Sequence, residues 1–249
     1  MIDPLRAILG LAAGGIAGSF LATLAIRWGC GERVSDGRSR CDHCRAAIGA
    51  ASLVPLISFV ALGGRCRACG GAIDRRHITM EAGTAAIGAL ALGVWPGLGG
   101  AAGAVFGWLL LTLALLDIDH HWLPDRLTAP LGMLGIGSAM LGLPPFLPDR
   151  LIGAACGFIS LTAIAWGYRR IRNREGLGGG DPKLLAAIGA WLGWRALPLV
   201  VFMAAIVGLL WCGLQAARGR RLLLTDRLPL GALLALAAWP VWLANAVQR

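Results

Sequence analysis

After residue 79 the sequence is almost unbroken apolar runs, and only 14% of its 249 residues carry charge against 57% that are hydrophobic. Soluble domains need roughly 25% charged residues to cover a water-facing surface. A mean hydropathy of +0.70 therefore makes lipid the solvent for most of this chain, and excludes a soluble globule, a disordered chain and a disulfide-built secreted scaffold. At about 20 apolar residues per crossing, the runs 7–26, 82–95, 101–116, 127–147, 151–168, 184–194, 196–215 and 228–247 predict about eight transmembrane helices in an all-α polytopic protein. The run 184–194 is short for a full crossing. It is either tilted or half of a hairpin with the run after it. The first run is too long for a signal peptide and continues into arginine-rich sequence without a cleavage site, so it reads as an uncleaved span. Gly10, Gly14 and Gly18 recur along one face of it, where a second helix could approach closely.

Charge then sets the orientation. The formal charge is +10, from 23 basic and 13 acidic side chains. In a soluble protein that excess would suggest nucleic acid; here the question is which loops collect it. With the amino terminus outside, the inside segments 28–79, 117–126, 169–183 and 216–227 hold eight, one, five and four basic residues. That is 18 of the 23, and the outer side receives only Arg6, Arg150, Arg195 and Arg249, with Arg27 at the boundary. The excess is an address facing anionic lipid headgroups, and nucleic acid is not an expected partner.

The long inside loop carries Cys41-x-x-Cys44 and Cys66-x-x-Cys69, separated by 21 residues. Two such pairs have the form of a four-thiolate zinc site, each pair making one knuckle. A loop of this size has too little apolar content for its own core, so a structural metal is a plausible staple. Unligated or redox-active thiols are the alternative. His43, between the first pair, reads as a solvated loop residue. Cys30 falls at the membrane edge, and Cys156 and Cys212 fall inside spans as small packing residues.

Two acidic clusters end or begin spans at the inner face: Asp117-x-Asp119 with Asp125 behind it, and Gly178-Gly179-Gly180-Asp181. Asp181 followed by Pro182 has an ordinary explanation as a helix N-cap. The chemical reading is an aspartic peptidase, whose two carboxylates share a proton so that one activates water while the other polarises the scissile carbonyl. Glycines before Asp181 would leave room for a substrate backbone.

These residues together resemble the bacterial type IV prepilin peptidases, the bifunctional leader peptidase and N-methyltransferase family of polytopic aspartic proteases. The resemblance runs over nearly the whole chain. It rests on Gly18-Ser19-Phe20-Leu21, the cysteine pairs flanking Val54-Pro55-Leu56-Ile57-Ser58, Gly64-Arg65-Cys66-Arg67-x-Cys69, and Glu81. Most specific are Asp117 seven residues before Pro124, and the Gly-x-Gly-Asp signature at 178–181 followed by Lys183 and Leu184. Ala22 stands where the family usually has Asn.

By this resemblance Asp117 and Asp181 are the catalytic pair, supported by Gly178 and Gly180, with Asp119 and Asp125 less suited. Cys41, Cys44, Cys66 and Cys69 are the ligands of a structural zinc. The implied division is a first transmembrane helix at 1–27, a cytoplasmic four-cysteine zinc-ribbon-like insertion at 28–80 and a membrane-embedded peptidase at 81–249. The implied activity is cleavage of prepilin or pseudopilin leaders after a leader glycine at the cytoplasmic face of the bacterial inner membrane, then N-methylation with S-adenosylmethionine. The methyl-donor site is assigned by resemblance to the cytoplasmic loop region, since no glycine-rich nucleotide fingerprint marks it. A peptidase without methyl transfer, and a small transporter with a zinc-ribbon loop, stay open as alternatives.

Overall fold

The computed structural model describes residues 3–32, 39–41, 43–174, 176–219 and 228–248, leaving aside the side chains of 50 and 51. Its helices are α1 (Pro4–Gly29), α2 (Ile57–Ala61), α3 (Arg75–Val94), α4 (Leu98–His120), α5 (Asp125–Met140), α6 (Leu147–Arg172), α7 (Gly180–Leu192), α8 (Leu197–Ala217) and α9 (Leu230–Val247). Short 3-10 turns at Ala50–Leu53 and Trp194–Ala196 complete the described regular structure, apart from two isolated β-bridges. The chain divides into two compact units, Met1–Thr112 and Leu113–Arg249, with the division falling inside α4.

The expectation of eight crossings is corrected. Among the described residues six helices are long and apolar enough to span a membrane: α1, α3, α4, α6, α8 with the turn before it, and α9. The predicted run 127–147 breaks where Gly142 takes φ +79° and prolines follow at 144 and 145, leaving α5 with 16 residues. The run at 184–194 gives α7, 13 residues long, ended by Gly193 at φ +75°. At 1.5 Å per residue α7 is about 20 Å long, short of the ~30 Å hydrocarbon layer. For α7 hydropathy could not separate the cases, because a helix buried among other helices is as apolar all round as one facing lipid.

In the first unit, α1 and α3 cross on the glycine face that the sequence marks. A Cβ at Gly10 would strike the Gly88 carbonyl, one at Gly14 the Thr84 carbonyl, and one at Gly18 the Thr84 hydroxyl and, at 2.8 Å, the Glu81 Cα. Position by position, 10–14–18 meets 88–84–81, so the helices are antiparallel and in backbone contact. Side chains as small as alanine would force them apart. Asp3 caps α1, accepting the Leu5 N–H at 3.1 Å, and Asp74 caps α3, accepting the Arg76 N–H at 2.8 Å. Hydrogen bonds from Arg76 hold the Asp74 carboxyl below the usual carboxylate range.

In the second unit α7 is the axle. Ten of its 13 residues are buried, against α5, α6, α8 and α9. Gly153 and Gly157 of α6 lie on the α7 backbone, so that a Cβ at Gly157 would come within 2.6 Å of the Leu185 carbonyl. Two polar contacts fix which ends coincide. Lys183 Nζ donates to both Asp125 oxygens at 2.8 Å, joining the starts of α7 and α5. Trp194 Nε1 donates to Asp149 Oδ1 at 2.9 Å, joining the end of α7 to the start of α6.

Arg150, which the sequence places among the few outer-loop charges, is 2% exposed. Its guanidinium donates to the carbonyls of Gly135, Leu143 (2.9 Å), Pro144 (3.0 Å) and Ala190 (3.3 Å) and to the Ser138 hydroxyl (2.6 Å), while Nε donates to the Pro145 carbonyl (2.8 Å). It thus ties the last turns of α5 and α7 and the loop after α5 to one buried cation. A cation suits that place, where helix C-terminal carbonyls converge.

Candidate functional site: an aspartate pair and a four-cysteine cluster

Asp117 lies in the last turn of α4 and Asp181 in the first turn of α7, both in the second unit. They are 5% and 7% exposed, and close enough for the Asp117 charge to act on Asp181. Asp119 and Asp125 are exposed, and Asp125 is held by Lys183. Of the four candidates, only the first of the α4 run and the one after the glycines are withdrawn from water.

Each carboxylate is positioned by backbone. Asp117 Oδ2 accepts the Ala232 N–H at 2.8 Å, at the start of α9, and Gly231 adds a second backbone donor. Asp181 Oδ2 accepts the Gly178 N–H at 3.1 Å. Asp181 is therefore not the N-cap of α7: Gly179 takes that position and makes no side-chain cap bond, while Asp181 turns inward. An ionised carboxylate has about four lone-pair sites, so both keep acceptor capacity for water or substrate.

The glycine signature has a steric meaning different from the one its sequence suggests. A Cβ on Gly180 would come within 2.8 Å of the Leu123 side chain, and one on Gly178 within 3.3 Å of Asp181 Oδ2. Only at Gly179 would it meet open space. The first and third glycines thus make room for the protein's own Leu123 and Asp181. Gly231 shares the constraint, its Cβ position lying 2.6 Å from Leu123 and 3.0 Å from Asp117 Oδ2. Leu123 is the wedge between the start of α7, which bears Asp181, and the start of α9, which holds Asp117.

Sequence reasoning missed Leu123, Gly231 and Ala232. Ala232 acts through its N–H, which any residue but proline could supply. The remaining signal was a weak one, Pro229 and Gly231 opening a helix, the pattern of a chain start that must approach something closely.

In the first unit the four predicted cysteines converge, their Sγ atoms all within 4.8 Å of one another and Cys41 to Cys69 at 3.9 Å. Tetrahedral zinc with ~2.3 Å bonds sets sulfurs about 3.8 Å apart, so this donor set and spacing fit the metal. The two pairs are structural twins. Cys41 N–H donates to the Ala46 carbonyl and Arg45 N–H returns to Cys41, at 2.9 Å each; Cys66 and Gly71, and Gly70 and Cys66, repeat this at 2.8 Å. A β-bridge flanks each, Arg40 with Ala47 and Arg65 with Ala72. His43 is not a fifth ligand candidate, since its Nε2 lies 3.2 Å from the Ala72 carbonyl, where it links the knuckles. Backbone N–H groups of Cys69 and Ala68 bring the Cys66 thiol down to about 6. At Cys69 the Gly71 N–H favours the thiolate, but the crowding sulfurs, Cys44 first, outweigh it and push the thiol up to about 11. Four thiolates cannot share this space without a cation. Cys30 and Cys156 are exposed and Cys212 is partly so, none of them in the cluster.

Comparison with known proteins finds family matches over both parts of the chain. A profile described as "Type IV leader peptidase family" matches residues 104–213, and one described as "Bacterial Peptidase A24 N-terminal domain" matches residues 12–95. The chain is 40% identical over 204 residues to a prepilin leader peptidase/N-methyltransferase of Aeromonas hydrophila, covering 81% of this chain and 70% of that one. It is 40% identical over 209 residues to the protein of the same description in Dichelobacter nodosus, covering 84% and 71%. A Pseudomonas aeruginosa relative, also so described, is 38% identical over 204 residues, covering 81% and 69%. No solved structure matches.

Proposed function

The chain belongs to the type IV leader peptidase family, and on that premise we propose that Asp117 and Asp181 are the dyad with which it cleaves prepilin or pseudopilin leaders. The observation that carries this reading is the pairing of two buried carboxylates at adjoining helix ends, each held by backbone and each with acceptor capacity left. The ionised member takes a proton from water as it adds to the scissile carbonyl, and the protonated member hydrogen-bonds the carbonyl oxygen. Collapse of the adduct breaks the C–N bond and passes a proton to the departing amine. One water is consumed, giving a leader carboxylate and a new amino terminus. The family's second activity is N-methylation of that terminus, for which S-adenosylmethionine supplies the methyl group.

The protein is a multi-pass membrane protein. We place it in the bacterial inner membrane with its amino terminus periplasmic and the dyad at the cytoplasmic face. Support comes from the 18 basic residues of the inside segments and from the Lys183–Asp125 contact, which puts the starts of α5 and α7 at the end where Asp181 lies. In this reading the first helix, 1–27, and a zinc module, 28–80, precede a peptidase region, 81–249. Cys41, Cys44, Cys66 and Cys69 hold a structural zinc that folds the module and takes no part in hydrolysis.

The test is co-expression of each variant with a prepilin, followed by mass spectrometry of the pilin amino terminus. Asp117→Asn and Asp181→Asn should each lower processing by at least ~10³-fold, since each removes one arm of the acid–base pair, while the protein stays in the membrane. Asp125→Asn should still cleave. Efficient cleavage by either dyad variant would falsify the assignment, and cleavage by the wild type without a methyl increment would remove the transferase half alone.

A further inference from the structure

Each aspartate motif carries a charged residue that the dyad leaves unused: Asp125 in the first and, in the second, Lys183, the only lysine of the chain. They pair with each other, Lys183 Nζ donating to both Asp125 oxygens at 2.8 Å. The lysine stands where its own helix does not favour it. Asp125 opens α5, where an anion suits the positive end of the helix dipole, but Lys183 lies in the first turn of α7, where a cation is opposed. Nor does Lys183 touch the dyad. At about 100° per residue, positions 181 and 183 point to opposite sides of α7, and Asp181 is buried while Lys183 is exposed. What accounts for the lysine is the segment that it reaches.

Residues 121–125 leave the helix that carries Asp117 and are tied at their far end to the helix that carries Asp181. At the near end the His121 N–H donates to the Asp117 carbonyl at 2.9 Å. In the middle the Leu123 side chain fills the space beside Gly180, next to Asp181, and beside Gly231, next to the Ala232 N–H that holds Asp117. At the far end the Asp125 carboxylate takes Lys183. These contacts act in opposite senses. Leu123 stops the starts of α7 and α9 from closing on each other, but van der Waals contact of that kind attracts only weakly once the surfaces part. An ion pair with two hydrogen bonds resists parting, and Lys183 supplies one at two residues from Asp181.

We propose that Lys183 is a positioning residue: through Asp125 it latches the end of α4 to the start of α7 and so sets the separation at which Asp117 and Asp181 share their work. This rests on the reading of those two aspartates as the dyad. Leu123 fixes how closely the segments approach, and the ion pair fixes how far they open. A carboxylate pair is sensitive to both, because one member must reach the water and the other the carbonyl oxygen of the same peptide bond.

The experiment follows single turnovers of a prepilin by the full-length protein in detergent, with enzyme saturating. An unfolded fraction then lowers the effective enzyme concentration but leaves the rate constant unchanged, so a merely structural role would not move it. Lys183→Met combined with Asp125→Asn removes both charges without altering the net charge. It should slow the cleavage step about fivefold, equivalent to about 1 kcal/mol and the upper end for an exposed pair, with the half-saturating enzyme concentration unchanged. Each single variant should cost about as much as the pair, since either one breaks the latch. Lys183→Arg keeps a cation that can take both carboxylate oxygens and should stay within about twofold of the wild type. An unchanged rate constant in the paired variant, losses that simply add, or a shift in half-saturation alone, which would mark a substrate contact, each overturns the proposal while an inactive Asp181→Asn leaves the dyad standing. An Asp181→Asn variant that cleaves like the wild type overturns both.

Discussion

Two regions of this molecule gather electron-rich groups around a single centre, and they solve the problem in opposite ways. In the second unit the centre is Arg150, which draws carbonyls of α5, α7 and the loop after α5 onto a guanidinium that the chain itself supplies. In the cysteine module four sulfurs lie within 4.8 Å of one another, and the cation of the proposed zinc site would come from solution. The difference follows from burial. Arg150 is packed inside apolar helices that pay the entropy of ordering it, whereas Cys44 and Cys69 are exposed and the module has little apolar content to hold them. A region with a core can keep its cation covalently; on the proposed zinc reading, a region without one borrows it.

Removing each cation tests the contrast, and zinc should give the larger effect. Apparent zinc-binding energies for small four-ligand modules are about 10–16 kcal/mol, far more than residues 39–74 could recover from packing. Chelation should therefore raise amide hydrogen exchange across 39–74 by orders of magnitude and expose four thiols to alkylation, leaving exchange in 147–192 unchanged. Added zinc should reverse it. Uniform loosening of both units would break the contrast.

Arg150→Met comes next. Several buried carbonyls would lose their donor where water cannot follow, at about 1–3 kcal/mol for each one left unsatisfied. A loss of about 3–5 kcal/mol is expected after relaxation, read as a lower thermal midpoint in detergent that no added metal restores. A variant as stable as the wild type would mean that Arg150 is no organising centre.

A smaller effect should separate the two flanks of the aspartate signature. Gly180→Ala drives a methyl into Leu123 and should cost about 1–3 kcal/mol by overpacking, with leader cleavage falling as Asp181 shifts. Gly179→Ala meets open space and should cleave normally. Leu123→Ala combined with Gly180→Ala should recover part of the loss; no recovery would show that Leu123 is not the wedge.

What could be read beforehand follows the same division between side chain and backbone. Asp117, Asp181 and the four cysteines were legible because their chemistry resides in side chains at recognisable spacing, and the 10–14–18 glycine face because it has a helical period. Arg150 was legible only as a charge in a short outer loop. Apart from the Ser138 hydroxyl, the partners named above are main-chain carbonyls from three segments, which leave no mark on residue identity. The donors to Asp117 escaped for the same reason. The lengths of α5 and α7 turned on two glycines at positive φ, Gly142 and Gly193, inside sequence whose hydropathy continues past them.

The smallest expected effect concerns the twin knuckles, at the equivalent positions 45 and 70, where they carry different residues. Each closes with a left-handed residue four places after its first cysteine: Gly70 at φ +70° and Arg45 at φ +60°. Glycine takes that conformation freely, while a residue with a Cβ is disfavoured by about 1–2 kcal/mol. Arg45 recovers some of this through its 3.4 Å ion pair with Glu32, but both side chains are well exposed and such pairs contribute at most about 1 kcal/mol. Arg45→Gly also gives the unfolded chain more freedom, which offsets part of the gain. The net change should be a stabilisation of about 1 kcal/mol or less, seen as up to a fivefold rise in zinc affinity against a competing chelator. Gly70→Ala isolates the backbone contribution, because nothing lies within 4 Å of the added Cβ, and it should lower zinc affinity by about fivefold. If Gly70→Ala binds zinc as tightly as the wild type, left-handed geometry is not what closes the knuckles, and their matching hydrogen bonds alone must account for the pairing of the thiols.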